Sequence, residues 1–171
     1  MRIVLFRHGI AGTRDPRRWP NDALLPLTTR GRERTEQAAR GLKRLYAPTR
    51  ILSSPLLRAA QTAEILRSAS GLTREIELVP SLAPGGGYRD VLTRLNALKA
   101  NEVVALVGHE PDLGKLAGVF VFGAPNGNLP LKKAGACIVD FVGHPDSGEG
   151  KIVALLPPRL LRRRAKTETK S

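Results

Sequence analysis

The sequence predicts one α/β domain, in which a single mixed, mostly parallel sheet is flanked by helices. Strand-like apolar runs alternate with helical patterns through most of the 171 residues, as is typical of parallel strands joined by helical crossovers. The last two runs are separated only by the turn-rich segment GHPDSGEG, which favours an antiparallel hairpin at one side of the sheet. A chain of this length is long enough for one core and requires no second domain.

Short apolar runs rich in β-branched residues define the predicted strands. They are Ile3–Phe6, Ile51–Ser53, Glu75–Val79, Val103–Val107, Ala136–Val142 and Lys151–Leu156.

Helix start and stop signals define the predicted helices. GRERTEQAARGLKRLY has the apolar spacing of a helix, with Thr28 or Thr29 available as its N-cap. SSPLLRAAQTAEILRSASG is more clearly marked, since Ser54 can cap it, Pro55 suits its first position and Gly71 can end it. EPDLGKLAGVFVFG predicts a further, glycine-interrupted helix.

The formal net charge of +13 is concentrated in two segments. Residues 1–50 hold 12 Lys and Arg against 4 Asp and Glu, and residues 159–171 hold 6 against 1. We therefore expect residues 1–158 to form the domain and residues 159–171 to be a flexible basic tail. Such charge fits a solvated surface, attraction of an acidic or phosphorylated substrate, or nucleic-acid contact. An aromatic content of 4% argues against base stacking, so nucleic acid is the less favoured partner.

Several features predict a cytoplasmic protein with no membrane contact. No apolar run approaches the length that spans a bilayer, and the N-terminus lacks the pattern of a secretory signal. Cys137 is the only cysteine, so no intrachain disulfide can form, and its place in a predicted strand indicates a core residue.

Cationic and imidazole side chains follow three of the predicted strands. Arg7 and His8 come directly after the first, Arg58 follows the second by a few residues, and His109 follows the fourth. Ligands bind at the carboxyl edge of open α/β sheets, so we expect these four side chains to meet there.

This combination favours a phosphoryl group over a metal ion. Two arginines would repel a cation, and no carboxylate or cysteine joins the histidines at metal-ligand spacing, so we expect no metal. The planar guanidinium of Arg matches phosphate oxygens. Arg58 lies in a predicted first helical turn, where free amides also favour an anion, and Gly9 would let the backbone approach it.

Five ordered motifs carry a family resemblance: LFRHGIA, LPLTTRGRERTEQAA, ILSSPLLRAAQTAEIL, LVGHEPDL and LKKAGACIVDF. Together they resemble the histidine phosphatase superfamily, most closely its SixA-type phosphohistidine phosphatases, over nearly the whole chain to about Leu156. The resemblance implies a phosphoglycerate mutase-like fold, and the short chain agrees with a branch that has no large cap domain.

The resemblance also implies residue roles. His8 would be the nucleophile that carries the phosphoryl group, and Arg7, Arg58 and His109 would bind phosphate, with His109 as a protonated donor. No metal or organic cofactor is implied. The expected activity is hydrolysis of phosphohistidine on a signalling or phosphotransfer protein.

The general acid is where the chain departs from the wider superfamily. Many relatives supply a carboxylate after the second helix, but here that region reads PSLAPGGGYRD, with no acid before Asp90. Asp22 is the first candidate to replace it and Glu110 the second, although both could equally be surface caps. A missing acid favours phosphohistidine, whose leaving imidazole is readily protonated, over phosphate esters.

Other readings remain open at the level of sequence. Arg14, Arg17 and Arg18 are candidates to attract an acidic phosphoprotein, or are simply solvated loop residues. The same chemistry could act on small phosphomonoesters, nucleotides or polyphosphate. A different class of function is a basic module that binds anions or nucleic acid, and the oligomeric state is left undetermined.

Overall fold

A computed structural model of the protein describes residues 1–125 and 129–165. The strands are β1 Arg2–Arg7, β2 Arg50–Ser53, β3 Glu77–Leu78, β4 Val103–Gly108, β5 Ala136–Asp140 and β6 Lys151–Leu156. The helices are α1 Thr29–Tyr46, α2 Leu57–Ser70, α3 Tyr88–Asn96, α4 Asp112–Phe122 and α5 Pro158–Ala165. Short 3₁₀ turns occupy Asp22–Leu24 and Pro80–Leu82.

Within these residues the strands form one mixed sheet in the order β3-β2-β4-β1-β5-β6. The pairs among β1 to β4 are parallel, whereas β5 pairs antiparallel with both β1 and β6. The predicted mixed sheet, with a hairpin at one side, is confirmed. The strand predicted over residues 75–79 is shorter than expected, with two residues in the ladder.

Strand β1 is apolar without interruption because both of its faces are covered. Ile3 and Leu5 point into one core cluster, while Val4 and Phe6 point into another on the opposite face. The first cluster includes residues of α3 and α4, and the second includes residues of α1, α2 and α5. The sheet is therefore packed between helices on both faces, and it positions the loops that follow its strands.

The register of the parallel strands places three chain segments at one edge. Arg7 in β1 pairs with Gly108 in β4, and Ser53 in β2 pairs with Val107. The ladder runs one residue further on each side, since the His8 amide donates to the Gly108 carbonyl at 3.1 Å and the Ser54 amide to the Val107 carbonyl at 2.9 Å. The segments that follow β1, β2 and β4 therefore begin side by side.

The end of the chain differs from the flexible tail expected from residue 159. Residues 158–165 form α5, which lies against α1 with Leu161 fully buried. Gly41 of α1 makes this approach possible, because a Cβ there would lie 1.9 Å from the Leu161 carbonyl oxygen. Residues 166–171 lie outside the described part of the chain. Among the described helices, none has the length and apolar character needed to cross a membrane.

Candidate active site

His8 lies just beyond β1 in a buried position, 7% exposed. Its Nδ1 is 2.7 Å from the carbonyl oxygen of Gly9. A carbonyl oxygen can only accept, so Nδ1 carries the proton and the lone pair of the neutral ring is on Nε2. Burial, followed by the charges of His109, Arg58 and Arg7, lowers the pKa of His8 to about 3. The imidazole is therefore neutral at physiological pH and can attack through Nε2.

Gly9 links His8 to two helices. Its amide donates to the hydroxyl oxygen of Thr62 in α2 at 3.1 Å, and that hydroxyl donates to the Arg58 carbonyl at 2.8 Å. A Cβ on Gly9 would lie 2.2 Å from the Thr35 hydroxyl oxygen of α1, so packing requires glycine here. Both backbone groups of Gly9 are thus hydrogen-bonded, and its observed role is to orient His8. Its predicted phosphate contact stays a prediction.

His109, after β4, faces His8 with 5.0 Å between ring centroids. It is 3% exposed, and its Nε2 lies 2.9 Å from the Ser54 hydroxyl oxygen. Burial, and then the charge of Arg58, lowers the pKa of His109 to about 4. Burial beside cations therefore favours the neutral imidazole, and the expected role of His109 as a protonated donor in the reaction stays a prediction.

Ser54 orients His109, and it is not the N-cap residue of α2 that the sequence predicted. The helix begins at Leu57 with Leu56 as its N-cap, although the Ser54 hydroxyl oxygen still accepts from the Leu56 amide at 3.3 Å. Ser54 precedes the helix by three residues because its amide still extends the strand ladder to Val107. At the other end, Gly71 ends the helix in a left-handed conformation, as predicted.

Arg58 is in the first turn of α2, as predicted, and is 4% exposed. Its Nη1 donates to the Asp22 carbonyl at 2.8 Å, and its Nη2 to the Asp22 Oδ2 at 2.9 Å. Arg14 Nε lies 3.0 Å from Oδ1 of the same carboxylate. The structure therefore brings the first candidate acid to the site as an ion-pair partner.

The ionisation of Asp22 follows from these contacts. Burial alone would raise the pKa of the carboxyl, but hydrogen bonds and charge from Arg58 and Arg14 outweigh it and lower that pKa. Asp22 is thus an anion at physiological pH and has no proton to give.

Arg7 leaves a buried donor unused. Its Nη1 donates to the Leu131 carbonyl at 2.8 Å, while its buried Nε has no hydrogen-bond partner among the described residues. A buried polar group without a partner is costly, and a charged donor gains most from an anion. An oxyanion bound here would supply the missing acceptor.

Glu110, the second candidate acid, is bound to backbone. Its Oε1 accepts from the Leu131 amide at 3.2 Å. Burial raises the pKa of this carboxyl. The Leu131 carbonyl accepts the hydrogen bond from Arg7, so Glu110 helps to fix the backbone that positions the Arg7 guanidinium.

The remaining predicted residues lie on the exposed loop before Asp22. Arg17 donates its amide to Asp15 at 2.9 Å, and the Arg18 guanidinium lies 5.6 Å from the Trp19 ring centroid. Nothing in these contacts bears on attraction of a substrate, so that role stays a prediction.

Arg7, His8, Arg58 and His109 form what we call the anion pocket. Guanidinium groups keep their charge at physiological pH and the two imidazoles are neutral, so the pocket is cationic. It can hold a tetrahedral oxyanion while Nε2 of His8 attacks the central atom. In the described parts of the chain, no three His, Cys, Asp or Glu side chains are grouped so that they could bind a metal.

Sequence reasoning missed Ser54 and Thr62 as contacts of the pocket, since a buried hydroxyl near a strand end or in a helix has many structural uses.

Comparisons with known proteins identify the family and the fold. The model of the histidine phosphatase superfamily, branch 1, matches residues 3–83. An uncharacterised protein of Picosynechococcus is 43% identical over 138 residues, covering 79% of this chain and 82% of that protein. The phosphohistidine phosphatase SixA of Escherichia coli is 35% identical over 120 residues, covering 68% and 71% of the two chains. A solved structure of the protein histidine phosphatase SixA complexed with tungstate matches with a TM-score of 0.81 and 28% identity, covering 94% of this chain and 99% of that one.

Proposed function

The chain belongs to the histidine phosphatase superfamily, and from that premise we propose that it hydrolyses phosphohistidine on a signalling or phosphotransfer protein. The observation that carries the proposal is the state of Asp22, which Arg58 and Arg14 hold as an anion. An ester releases an alkoxide and needs a strong proton donor at that moment. A phosphohistidine releases an imidazole, which accepts a proton from solvent readily, so an ionised Asp22 suits it better.

The first step transfers the phosphoryl group to the enzyme. Nε2 of His8 forms a bond to phosphorus, the substrate's P–N bond breaks, and its electron pair stays on the leaving imidazole, which takes up a proton. The Gly9 carbonyl accepts from Nδ1 and stabilises the positive charge that develops on the His8 ring. Arg7 and Arg58 bind the phosphoryl oxygens, including through the Arg7 Nε, which has no hydrogen-bond partner among the described residues.

His109 acquires its charge when the substrate arrives. A phosphoryl dianion beside the ring raises the pKa of the imidazole, so that His109 becomes the protonated donor expected from the family resemblance. The Ser54 hydroxyl holds Nε2 in place throughout.

The second step returns the enzyme to its starting state. Water attacks the phosphorus of phospho-His8, the P–Nε2 bond breaks, and its electron pair returns to His8 as the neutral imidazole. Inorganic phosphate leaves with the proton balance supplied by water. No step requires a metal ion.

Two substrates test the proposal. Rates should be measured with a phosphohistidine-bearing phosphotransfer protein and with para-nitrophenyl phosphate, each with and without a chelator. We expect a strong preference for the phosphoprotein and no effect of the chelator. Faster hydrolysis of the ester would replace the proposal with a phosphatase of the same mechanism acting on small phosphomonoesters, nucleotides or polyphosphate.

A further inference from the structure

A second positively charged concavity lies beside the anion pocket. It is a cleft of about 270 Å³ between α1, α5 and the segment before β5. Its lining contains three cations and no carboxylate: Ile10, Gly31, Arg34, Thr35, Lys133, Ala134, Pro158 and Arg162. We call it the basic cleft.

The positive charge of the basic cleft is not neutralised by the protein. Within residues 1–125 and 129–165, Arg34, Lys133 and Arg162 have no ion-pair or hydrogen-bond partner through their charged groups. Arg34 and Arg162 are moreover only half exposed. Burial, and then the charges of Arg34 and Arg159, lowers the pKa of Arg162. Cations that repel each other in a concave, half-buried site are stabilised by an anion.

The basic cleft is attached to the backbone of the anion pocket. The Ala134 amide lies 3.1 Å from the Arg7 carbonyl oxygen and 3.3 Å from that of His8, donating to both. Ile10, at the other side of the cleft, is two residues beyond His8. The cleft and the anion pocket are therefore adjacent, which puts the cleft within reach of a protein substrate whose phosphoryl group is bound in the pocket.

The arrangement of charge in the cleft favours carboxylates on a protein surface over a small free ligand. Its three cations come from three segments, since Arg34 lies in α1, Lys133 before β5 and Arg162 in α5. Lys133 is exposed, and its long side chain can reach carboxylates on the surface of a bound protein. A single small ion would instead be expected in a site that encloses it.

We propose that the basic cleft is a docking site for acidic side chains of the phosphorylated protein substrate. This rests on the function proposed above. The cations of the cleft have no carboxylate partner among the described residues, whereas Arg14, one of the loop arginines that the sequence suggested for this role, is already paired with Asp22. Carboxylates in the cleft raise the local concentration of the phosphoprotein and orient its phosphohistidine, with no part in the chemical step.

The test compares two double variants that remove the same charge. Arg34→Gln/Arg162→Gln empties the cleft of two cations, and Arg40→Gln/Lys43→Gln removes two exposed cations elsewhere on the protein. Each is assayed with an acidic phosphohistidine-bearing phosphotransfer domain and with free phosphohistidine, at low and high salt. Lys133→Gln, at an exposed position, repeats the test without risk to folding.

We expect the cleft variant to lose at least tenfold in kcat/KM for the phosphoprotein at low salt, with a shallower salt dependence. Its rate with free phosphohistidine should stay within twofold of wild type, and the control variant should lose little with either substrate. Equal losses in the two double variants would refute the docking site, since net charge alone would then explain them. Loss of duplex DNA binding in the cleft variant, with unchanged phosphoprotein kinetics, would assign the cleft to nucleic acid instead.

Failure of the function gives a different pattern from failure of the cleft. If wild type hydrolyses neither phosphohistidine substrate, the proposed activity is wrong and the cleft loses its ligand with it. If wild type hydrolyses both and the cleft variant matches it, the activity stands and only the docking site is wrong.

Discussion

Acid should destabilise this protein well above the pH at which carboxylates titrate, because two buried histidines resist protonation. Burial lowers the pKa of His8 from 6.5 to about 3 and that of His109 from 6.5 to about 4. In the unfolded chain both imidazoles bind a proton near pH 6.5. The unfolded state therefore binds more protons between pH 6.5 and 4, so the free energy of unfolding falls as pH falls through that window.

The size of the loss follows from the two pKa values. One pKa unit corresponds to about 1.4 kcal/mol, so each histidine contributes up to ~3 kcal/mol by pH 4. Because the two rings interact, their titrations are coupled, and we expect a combined loss of roughly 3–6 kcal/mol. That is a large part of the stability of an ordinary domain, about 5–15 kcal/mol.

Urea unfolding at pH values from 7 to 4 measures this loss. The comparison is the variant His8→Asn/His109→Gln, which keeps amide nitrogens near the Gly9 carbonyl and the Ser54 hydroxyl but cannot titrate. Its free energy of unfolding should stay nearly constant from pH 6.5 to 4.5 while that of wild type falls. Parallel curves for the two proteins would refute the neutral, buried state of the histidines.

Other consequences of the site concern anion binding and turnover. Asp22→Asn should bind inorganic phosphate about fivefold to tenfold more tightly, since an ion pair of Arg58 worth ~1 kcal/mol no longer competes; weaker binding in a phosphate titration would contradict this. Ser54→Ala should lower kcat about fivefold through loss of a hydrogen bond of about 1 kcal/mol to His109, with phosphate affinity kept; an unchanged kcat would show that Ser54 does not position His109 for the reaction. Phosphate at 100 times its Kd should raise the free energy of unfolding of wild type by about 2.7 kcal/mol, and Arg58→Gln should abolish most of that gain; an equal gain in both would place the anion elsewhere.

The fold and the core of the site could be predicted because the relevant signals are local and repeated. Each of the strands β1, β2 and β4 is a buried apolar run followed at once by a cationic, imidazole or hydroxyl group. Parallel register then brings the ends of those strands together without further information.

What could not be predicted depends on contacts between distant segments. The tail from residue 159 has a basic composition typical of disorder, yet Leu161 is buried because Gly41 of α1 leaves room for it. The use of Ser54 by His109 depends on a side chain 55 residues away. The lowered pKa of His109 results from burial and from the charge of Arg58, and neither can be read from the residues next to it in the sequence.

The most direct test of the central claim is to trap the phosphoryl group on the enzyme. Wild type should be mixed with a phosphohistidine-bearing protein labelled with ³²P, quenched within milliseconds at alkaline pH and separated from the substrate. We predict label on the enzyme that is stable in alkali, lost in acid, located on His8 and absent in His8→Ala. Steady hydrolysis by wild type with no labelled enzyme at any time, or label retained in His8→Ala, would contradict a covalent route through His8.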